Sequence, residues 1–161
     1  MIQADAIVIG AGAAGLMCAL TAGQRGRRVV VLDHAHKLGT KILISGGGRC
    51  NFTNLEVDAS RFVSGNPHFC KSALARYTQW DFIGMVARHG IAYHEKTLGQ
   101  LFCDGSARQI LDMLLTECAA GDVTIRRGET VRAIGGAERF RVTTDNADFE
   151  APSLVIATGG L

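Results

Sequence analysis

The sequence predicts an α/β fold built around a parallel sheet, and three observations support this prediction. A short run rich in Ile and Val at residues 4–9 indicates a buried strand that leads into a glycine. Residues 13–25 are rich in Ala and Leu and predict a helix, and residues 28–32 (RVVVL) predict a second buried strand. Strand, tight glycine turn, helix and strand in this order form a βαβ unit, whose two strands are parallel.

The rest of the chain predicts further helices, a hairpin and a run of antiparallel strands. Residues 39–54 are rich in glycine and lack periodicity, so we expect a loop there with at most a short helical turn. Helical patterns occur at residues 67–77, 78–89 and 106–120, and Thr78 with Asp81 and Ser106 are the expected helix caps. Strand patterns occur at residues 91–94, 100–103, 123–126, 129–134, 140–144, 147–150 and 154–157. The three strands from 129 to 150 are expected to form a β-meander.

Composition excludes several classes of protein. The 161 residues, 47% hydrophobic and 20% charged, indicate a globular chain of about one domain. A net charge of +2, with no aromatic and basic surface visible in the sequence, argues against a nucleic-acid partner. No apolar run is long enough for a membrane span, so no membrane partner is expected. Five cysteines without a C-x-x-C pair argue against a metal site and favour a reducing, cytoplasmic location.

Residues 10–15 (GAGAAG) match the dinucleotide fingerprint G-x-G-x-x-G in its required context. Gly10 permits the tight turn, Gly12 lets the backbone approach a pyrophosphate, and Gly15 lets the helix lie close to the strand. The free N–H groups at Ala13 and Ala14 and the helix dipole would hold the phosphates. Asp33, at the end of the second strand, would accept hydrogen bonds from a ribose diol, which disfavours NADP at this site. The spacing alone does not decide between NAD and FAD.

A second glycine motif covers residues 39–54, with Lys41, Ser45, Arg49 and Asn51 as its polar members. It follows the second strand and is therefore expected at the carboxyl edge of the sheet, where a dinucleotide would pass. Lys41 and Arg49 could contact a phosphate or a flavin carbonyl, and Ser45 and Asn51 could bind ribityl hydroxyls or ring edges. The alternative is a loop whose polar side chains only satisfy its own backbone.

Together with the fingerprint and the A-T-G-G turn at residues 157–160, this motif resembles the YhiN/BaiN-like FAD flavoproteins, also called the aminoacetone-oxidase family. The resemblance implies a Rossmann-like FAD-binding domain of the glutathione-reductase type, with a parallel sheet and a β-meander crossover. In such domains a backbone group on the first meander strand contacts the adenine, and Val131 is the expected position. The resemblance also implies FAD as cofactor, with NAD(P)H as a possible reductant.

Members of that family are two to three times longer than this chain. The resemblance therefore implies that residues 1–161 are a truncated FAD/NAD(P)-binding domain, without the inserted second domain and the C-terminal FAD segment. We expect this chain alone to bind FAD weakly or not at all, to be inactive, and to self-associate through its exposed sheet edge. The sequence identifies no catalytic residues, and the residues that bind the substrate would lie outside this chain. Cys50 is expected to be a packed thiol, and His94 with Glu95 a poor acid–base pair, because strand neighbours face opposite sides.

Three functions remain open at this point. The leading hypothesis is an FAD-dependent oxidoreductase that transfers a hydride between the flavin and a small organic substrate. The second is a non-catalytic nucleotide-binding fragment or relic, and the third is an RNA-modifying flavoprotein, against which the weak net charge argues. The candidate cofactor-binding residues are Gly10, Gly12, Ala13, Ala14, Gly15, Asp33, Lys41, Ser45, Gly46, Gly47, Arg49, Asn51, Val131, Thr158 and Gly159.

Overall fold

The computed structural model describes residues 1–160, and no helix among them is long and apolar enough to cross a membrane. The chain divides into two compact units. We call Met1–Ile42 with Leu111–Leu161 the two-segment unit, and Leu43–Ile110 the middle unit. The strands are β1 (Ile2–Gln3), β2 (Ala6–Ile9), β3 (Val29–Asp33), β4 (Asn51–Asn54), β5 (Tyr93–Glu95), β6 (Gln100–Cys103), β7 (Thr124–Arg127), β8 (Val131–Gly135), β9 (Phe140–Thr144), β10 (Asp148–Ala151) and β11 (Ser153–Ile156). The α-helices are α1 (Ala13–Gly23), α2 (Thr40–Ile44), α3 (Lys71–Arg76), α4 (Gln79–Arg88) and α5 (Ala107–Ala120).

A parallel sheet of order β11-β2-β3-β7 organises the two-segment unit. Its central strands β2 and β3 are almost fully buried, as expected for strands covered on both faces. Helix α1 connects β2 to β3 and begins at the predicted residue, Ala13. The predicted α/β Rossmann-type fold with a parallel sheet is confirmed. Strands β7 and β11 form the edges of this sheet, and self-association through such an edge stays a prediction.

The β-meander covers the parallel sheet in the same unit. Strands β8, β9 and β10 are antiparallel neighbours, and the short strand β1 joins them by pairing in parallel with β10. Their inward side chains, such as Val142 and Phe149, pack against Ile7, Ile9 and Leu32 of the parallel sheet. The strand predicted over residues 4–9 begins two residues later, at Ala6 of β2, because Ala4 donates its N–H to the Glu150 carbonyl oxygen of the meander. Strand β1 lies before the predicted range and was not predicted.

The middle unit has a three-stranded antiparallel sheet, of order β4-β6-β5. The predicted hairpin forms, but its first strand begins at Tyr93. Residues 39–54, expected to be a loop, contain α2, a 3₁₀ turn (Ser45–Gly48) and β4. Strand β4 was missed because its pairing with β6 is remote in sequence. Helix α4 begins with the predicted capping box of Thr78 and Asp81, whereas the helix expected at residues 67–77 covers only Lys71–Arg76.

Candidate functional site

The fingerprint lies in the two-segment unit, at the carboxyl end of β2. Gly10 has a φ of +106°, and a side chain there would collide with the Ala157 carbonyl group. A side chain at Gly15 would collide with the Gly10 carbonyl oxygen, so α1 approaches β2 as closely as two backbones allow. These contacts give Gly10 and Gly15 the structural roles that the sequence predicted for them.

Gly12 is the N-cap residue of α1, and the start of this helix is open. No side chain of the described residues caps it, and a Cβ built on Gly12 meets nothing within 4 Å. Ala13 and Ala14 are exposed in the first turn, where backbone N–H groups have no intrahelical acceptor. No acidic side chain occupies that turn. The helix start therefore offers an uncapped, positively polarised set of donors with room for an anion.

Asp33 points toward this glycine turn. Its Oδ2 accepts a hydrogen bond of 2.7 Å from the Ala11 N–H, and its Oδ1 accepts one of 2.8 Å from the Ala35 N–H. These bonds fix the carboxylate beside the fingerprint. Each oxygen keeps a second lone pair, so both can still accept from a neighbouring hydroxyl.

The A-T-G-G turn meets the fingerprint. Ala157 donates its N–H to the Ile9 carbonyl oxygen at 2.7 Å, and Thr158 follows directly beside Gly10. Lys41, in α2, donates from Nζ to the Gly160 carbonyl oxygen at 2.6 Å, and its Nζ would lie 3.4 Å from a Cβ built on Gly159. The structure thus brings the first motif, Asp33, Lys41 and the last motif to one edge of the sheet.

Glu129 is a buried carboxylate that the sequence analysis missed. Its backbone N–H donates to the Asp33 carbonyl oxygen at 2.9 Å, and its side chain accepts from Arg126, Thr144 and Asn146. Burial raises the pKa of Glu129, but these hydrogen bonds outweigh that effect and hold its pKa below the ordinary value. Glu129 therefore ties the turn between β9 and β10 to the end of β3.

Val131 begins β8 two residues after Glu129. It pairs with Thr144 next to a register shift, and its half-buried side chain packs against the core beneath the meander. The contact with adenine expected at Val131 is made by the backbone, and it stays a prediction.

The sequence gives only a weak signal for Glu129. It shows a single carboxylate at the start of the meander, and nothing in the sequence indicates that this carboxylate is buried.

The second motif lies in the middle unit. In the 3₁₀ turn, Gly46 and Gly47 have left-handed backbones, with φ of +57° and +66°. A side chain at Gly46 would press against Phe102 of β6, whereas one at Gly47 would meet nothing within 4 Å. Arg49 is exposed, and its carbonyl oxygen accepts from the Cys103 N–H at 2.9 Å. The turn is anchored through Gly46 and Arg49 and presents the Gly47 backbone outward.

Asn51 and Cys50 continue this motif into β4. The side-chain nitrogen of Asn51, in the orientation in which it can donate, lies 3.3 Å from the Leu101 carbonyl oxygen and 3.1 Å from that of Thr53. In this orientation the Asn51 side chain hydrogen-bonds the backbone of β4 and β6. Cys50 is buried, and burial raises the pKa of its thiol, partly offset by a hydrogen bond with Ser45. Burial, with smaller effects of Cys50 and Asp104, raises the pKa of Cys103 to about 11. Raised pKa values leave little thiolate, so these thiols are poor nucleophiles.

His94 has a partner that the sequence analysis did not consider. Its Nδ1 lies 2.6 Å from Oδ1 of Asp104, and its ring stacks on Phe102 with centroids 6.3 Å apart. Asp104 follows β6, so the pair forms across the hairpin, not along one strand. Both side chains are about half exposed. Within residues 1–160, no group of three or more metal-ligating side chains occurs.

Two solved structures that share this fold carry the names of oxidoreductases. Glycine oxidase from Geobacillus kaustophilus aligns with a TM-score of 0.63 and 15% identity, over 99% of this chain and 56% of that one. The 3-ketosteroid-delta4-(5alpha)-dehydrogenase of Rhodococcus jostii RHA1 aligns with a TM-score of 0.64 and 14% identity, over 99% and 46%. Identities this low establish a shared fold and nothing finer.

Curated relatives are much more similar in sequence. The ribosomal RNA dihydrouridine synthase of Escherichia coli is 60% identical over 158 residues, and that of Haemophilus influenzae is 53% identical over 160. The 3-dehydro-bile acid delta(4,6)-reductase of Clostridium scindens is 29% identical over 157 residues. The chain spans 38–40% of the length of these relatives, and 95–98% of the chain is matched.

The family assignment agrees with the site geometry. Residues 4–161 match the HI0933-like protein Rossmann domain, which covers both glycine motifs, the meander and the final turn. The family expected from the resemblance is therefore confirmed at the level of this FAD-binding fold. The two relatives at 60% and 53% identity carry the name of a ribosomal RNA dihydrouridine synthase and not of an aminoacetone oxidase. The chain belongs to the HI0933-like Rossmann domain family.

Proposed function

We propose that this chain is the FAD-binding portion of a flavoenzyme that reduces uridine in ribosomal RNA to dihydrouridine. The proposal has a cofactor half, the binding of FAD, and a substrate half, the reduction of uridine in ribosomal RNA. The observation that supports the cofactor half is the open start of α1 at Gly12, with the Asp33 carboxylate fixed beside it. The substrate half is supported by identities of 60% and 53% with two proteins named ribosomal RNA dihydrouridine synthase, which extend over nearly the whole chain. A cytoplasmic location fits a ribosomal substrate.

The residues of the two-segment unit suit the ADP half of FAD. A Cβ at position 12 would meet no atom within 4 Å, so the turn leaves open space at the start of α1, where a pyrophosphate would bind. Asp33 would bind the adenosine ribose with its remaining lone pairs, and the Val131 backbone would contact the adenine. Lys41, Thr158 and Gly159 would contact the phosphates or ribityl chain next to the fingerprint.

The 3₁₀ turn of the middle unit offers groups of the kind that bind FAD. Gly47 presents a bare backbone, and the Arg49 guanidinium is exposed and free to contact a phosphate or a flavin carbonyl. Ser45 and Asn51 would act mainly through the backbone geometry of this turn, since the Asn51 amide already serves β4. FAD supplies two-electron hydride chemistry when bound.

The proposed reaction adds two electrons and two protons across the C5–C6 double bond of uracil. NAD(P)H is the class of donor that supplies the two electrons, as one hydride equivalent. The chain's own contribution is to bind and orient the cofactor through the residues above. The C. scindens relative favours a second candidate, the reduction of a conjugated small organic molecule, at a lower identity. The third candidate is a non-catalytic nucleotide-binding relic.

A chimera tests both halves of the proposal. The matching segment of the E. coli relative is replaced by this chain and expressed in a strain that lacks the relative. We expect the purified chimera to carry FAD, seen by its visible absorbance, and nucleoside mass spectrometry to detect restored dihydrouridine in the rRNA. In the chimera with Gly12→Asp, the new carboxylate caps α1 and repels phosphate, so we expect FAD affinity to fall at least 100-fold without loss of stability.

Gly135→Ala is the matched control, because a Cβ there also meets nothing within 4 Å while the position lies on the meander. A folded chimera without FAD would contradict the cofactor half. An FAD-loaded chimera that leaves the rRNA without dihydrouridine would contradict the substrate half. Retention of FAD by Gly12→Asp would show that the cofactor binds elsewhere. A thermal shift of the chimera with ADP but not with FAD would indicate the relic.

A further inference from the structure

Helix α4 of the middle unit exposes a face that combines an aromatic ring with a cation. Trp80, Gly84 and Arg88 are spaced four residues apart and therefore lie on one side of the helix, with Ala87 beside them. The Trp80 side chain is 59% exposed, an unusual exposure for so large an apolar group. The Arg88 guanidinium lies 3.7 Å from a Cβ built on Gly84, so it folds back along the helix toward Trp80. We call these four residues the α4 face.

Residues that precede α4 add to this surface. Helix α3 ends at Arg76, and the 40% exposed Tyr77 follows it, so a second cation and a second ring lie within four residues of Trp80. Over the described residues, neither Arg76 nor Arg88 has a carboxylate at salt-bridge distance. Asp81, the acidic residue nearest in sequence, is used to cap α4 through Thr78, and these hydrogen bonds lower its pKa.

The charge of the whole chain is concentrated in the same unit. Leu43–Ile110 has seven basic and five acidic residues, a difference of +2, which equals the net charge of the full sequence. Five of the six large aromatic side chains that are strongly exposed also belong to this unit, namely Phe62, Phe69, Tyr77, Trp80 and Tyr93. The weak net charge and the lack of an aromatic and basic surface visible in the sequence argued against nucleic acid, and the α4 face with Arg76 and Tyr77 combines both kinds of side chain.

We propose that the α4 face, together with Arg76, contacts a single-stranded segment of RNA. A base would stack on the indole of Trp80, and Arg88 and Arg76 would bind backbone phosphates on either side of it. Exposed aromatic rings beside unpaired cations are the combination by which proteins hold unpaired nucleotides. Trp80 and Arg88 are separated by eight residues, about 12 Å along the helix. This inference rests on the proposed rRNA substrate and assigns to it a contact surface.

Trp80 is the only tryptophan of the sequence, so its fluorescence reports on this contact directly. The full chain is titrated with a uridine oligoribonucleotide while tryptophan emission and the anisotropy of a labelled oligomer are recorded. We expect the emission to be quenched as the oligomer binds, and the affinity to fall as salt is added. Trp80→Ala should weaken binding about tenfold by anisotropy.

The arginines are tested by their salt dependence. Arg88→Gln and Arg76→Gln should each weaken binding and lower the slope of log affinity against log salt by about 0.7, the value for one phosphate contact on a single strand. Arg25→Gln, an exposed cation in the two-segment unit, is the matched control and should change neither. Circular dichroism confirms that each variant is folded.

Three outcomes would overturn the inference. They are the absence of quenching by RNA, an effect of Arg25→Gln as large as that of Arg88→Gln, and a Trp80 emission that iodide cannot quench, which would mean that protein covers the α4 face. Failure here is distinguishable from failure of the proposed function. If the chimera restores dihydrouridine but RNA does not bind the α4 face, only this inference fails. If RNA binds the α4 face but the chimera restores no dihydrouridine, only the proposed function fails.

Discussion

Charged pairs are more frequent among the described arginines of the two-segment unit than among those of the middle unit. Five of the eight arginines in the two-segment unit pair with carboxylates, as Arg28 does with Asp5, Arg126 with the buried Glu129 and Arg139 with Glu150. In the middle unit Arg61 binds Glu56, but Arg76 and Arg88 have no such partner among residues 1–160. Paired charges hold a framework in place, and unpaired charges are free to bind a ligand. The comparison therefore marks Arg76 and Arg88 as cations that remain available for a ligand.

Glycine-to-alanine substitutions should show the largest difference in stability between the two units. Gly15→Ala places a methyl group against the Gly10 carbonyl oxygen and should reduce the free energy of unfolding by about 3 kcal/mol. Gly84→Ala, within α4, meets only the Arg88 side chain at 3.7 Å and should raise stability by up to about 1 kcal/mol. Urea denaturation followed by circular dichroism measures both. A Gly15→Ala variant as stable as the parent would refute the close approach of α1 and β2.

Removing the charge of a carboxylate should also lower stability by different amounts in the two units. Glu129→Gln removes the charge that Arg126, Thr144 and Asn146 share, and should reduce stability by about 2 kcal/mol at neutral pH. Glu56→Gln, in an exposed pair with Arg61, should cost less than about 0.5 kcal/mol. Thermal unfolding of the two variants side by side measures the difference. Equal losses would contradict it.

The pH dependence of the Glu129 effect has a definite sign. Because its folded pKa lies below 4.5, the carboxylate contributes stability above its unfolded pKa and loses that contribution as pH falls through the folded value. The difference in stability between the parent and Glu129→Gln should therefore be complete at pH 7 and should shrink as the pH falls below the ordinary range of a glutamate. A difference that grows as the pH falls would contradict the assignment.

The reactivity of the buried thiols should differ less between the two units than the effects of the glycine and glutamate substitutions. Burial raises the pKa of Cys118 in the two-segment unit and of Cys103 in the middle unit, each to about 11, and it also raises that of Cys50. Iodoacetamide should therefore modify the partly exposed Cys18 before Cys50, Cys103 and Cys118, and these three buried thiols should react faster only as pH rises. Peptide mass spectrometry after timed labelling measures the order. Early labelling of Cys50 would contradict its burial.

Local signals explain what the sequence could predict. The βαβ unit, the meander and the capping box of α4 depend on periodicity and on residues within one or two turns, and the structure has all three. The fingerprint needed only its strand and helix context for the roles of Gly10 and Gly15 to be predicted correctly. The cofactor contacts of Asp33, Lys41 and Arg49 stay predictions.

Contacts between distant segments explain what it could not predict. Strand β4 exists because it pairs with β6, and β1 exists because it pairs with β10 at the other end of the chain. The partner of His94 is Asp104 across the hairpin, which no spacing along one strand reveals. The burial of Glu129 and the exposure of Trp80 likewise depend on which segments cover them.

The contact between Gly10 and Ala157 has a consequence for synthesis on the ribosome. Strand β2, which leads into the fingerprint, is translated well before its neighbour β11, which brings Ala157 against Gly10. One edge of β2 therefore stays unpaired in the nascent chain until β11 has emerged. We expect nucleotide loading during translation to wait for β11, because the glycine turn takes its final shape only when Ala157 packs against Gly10.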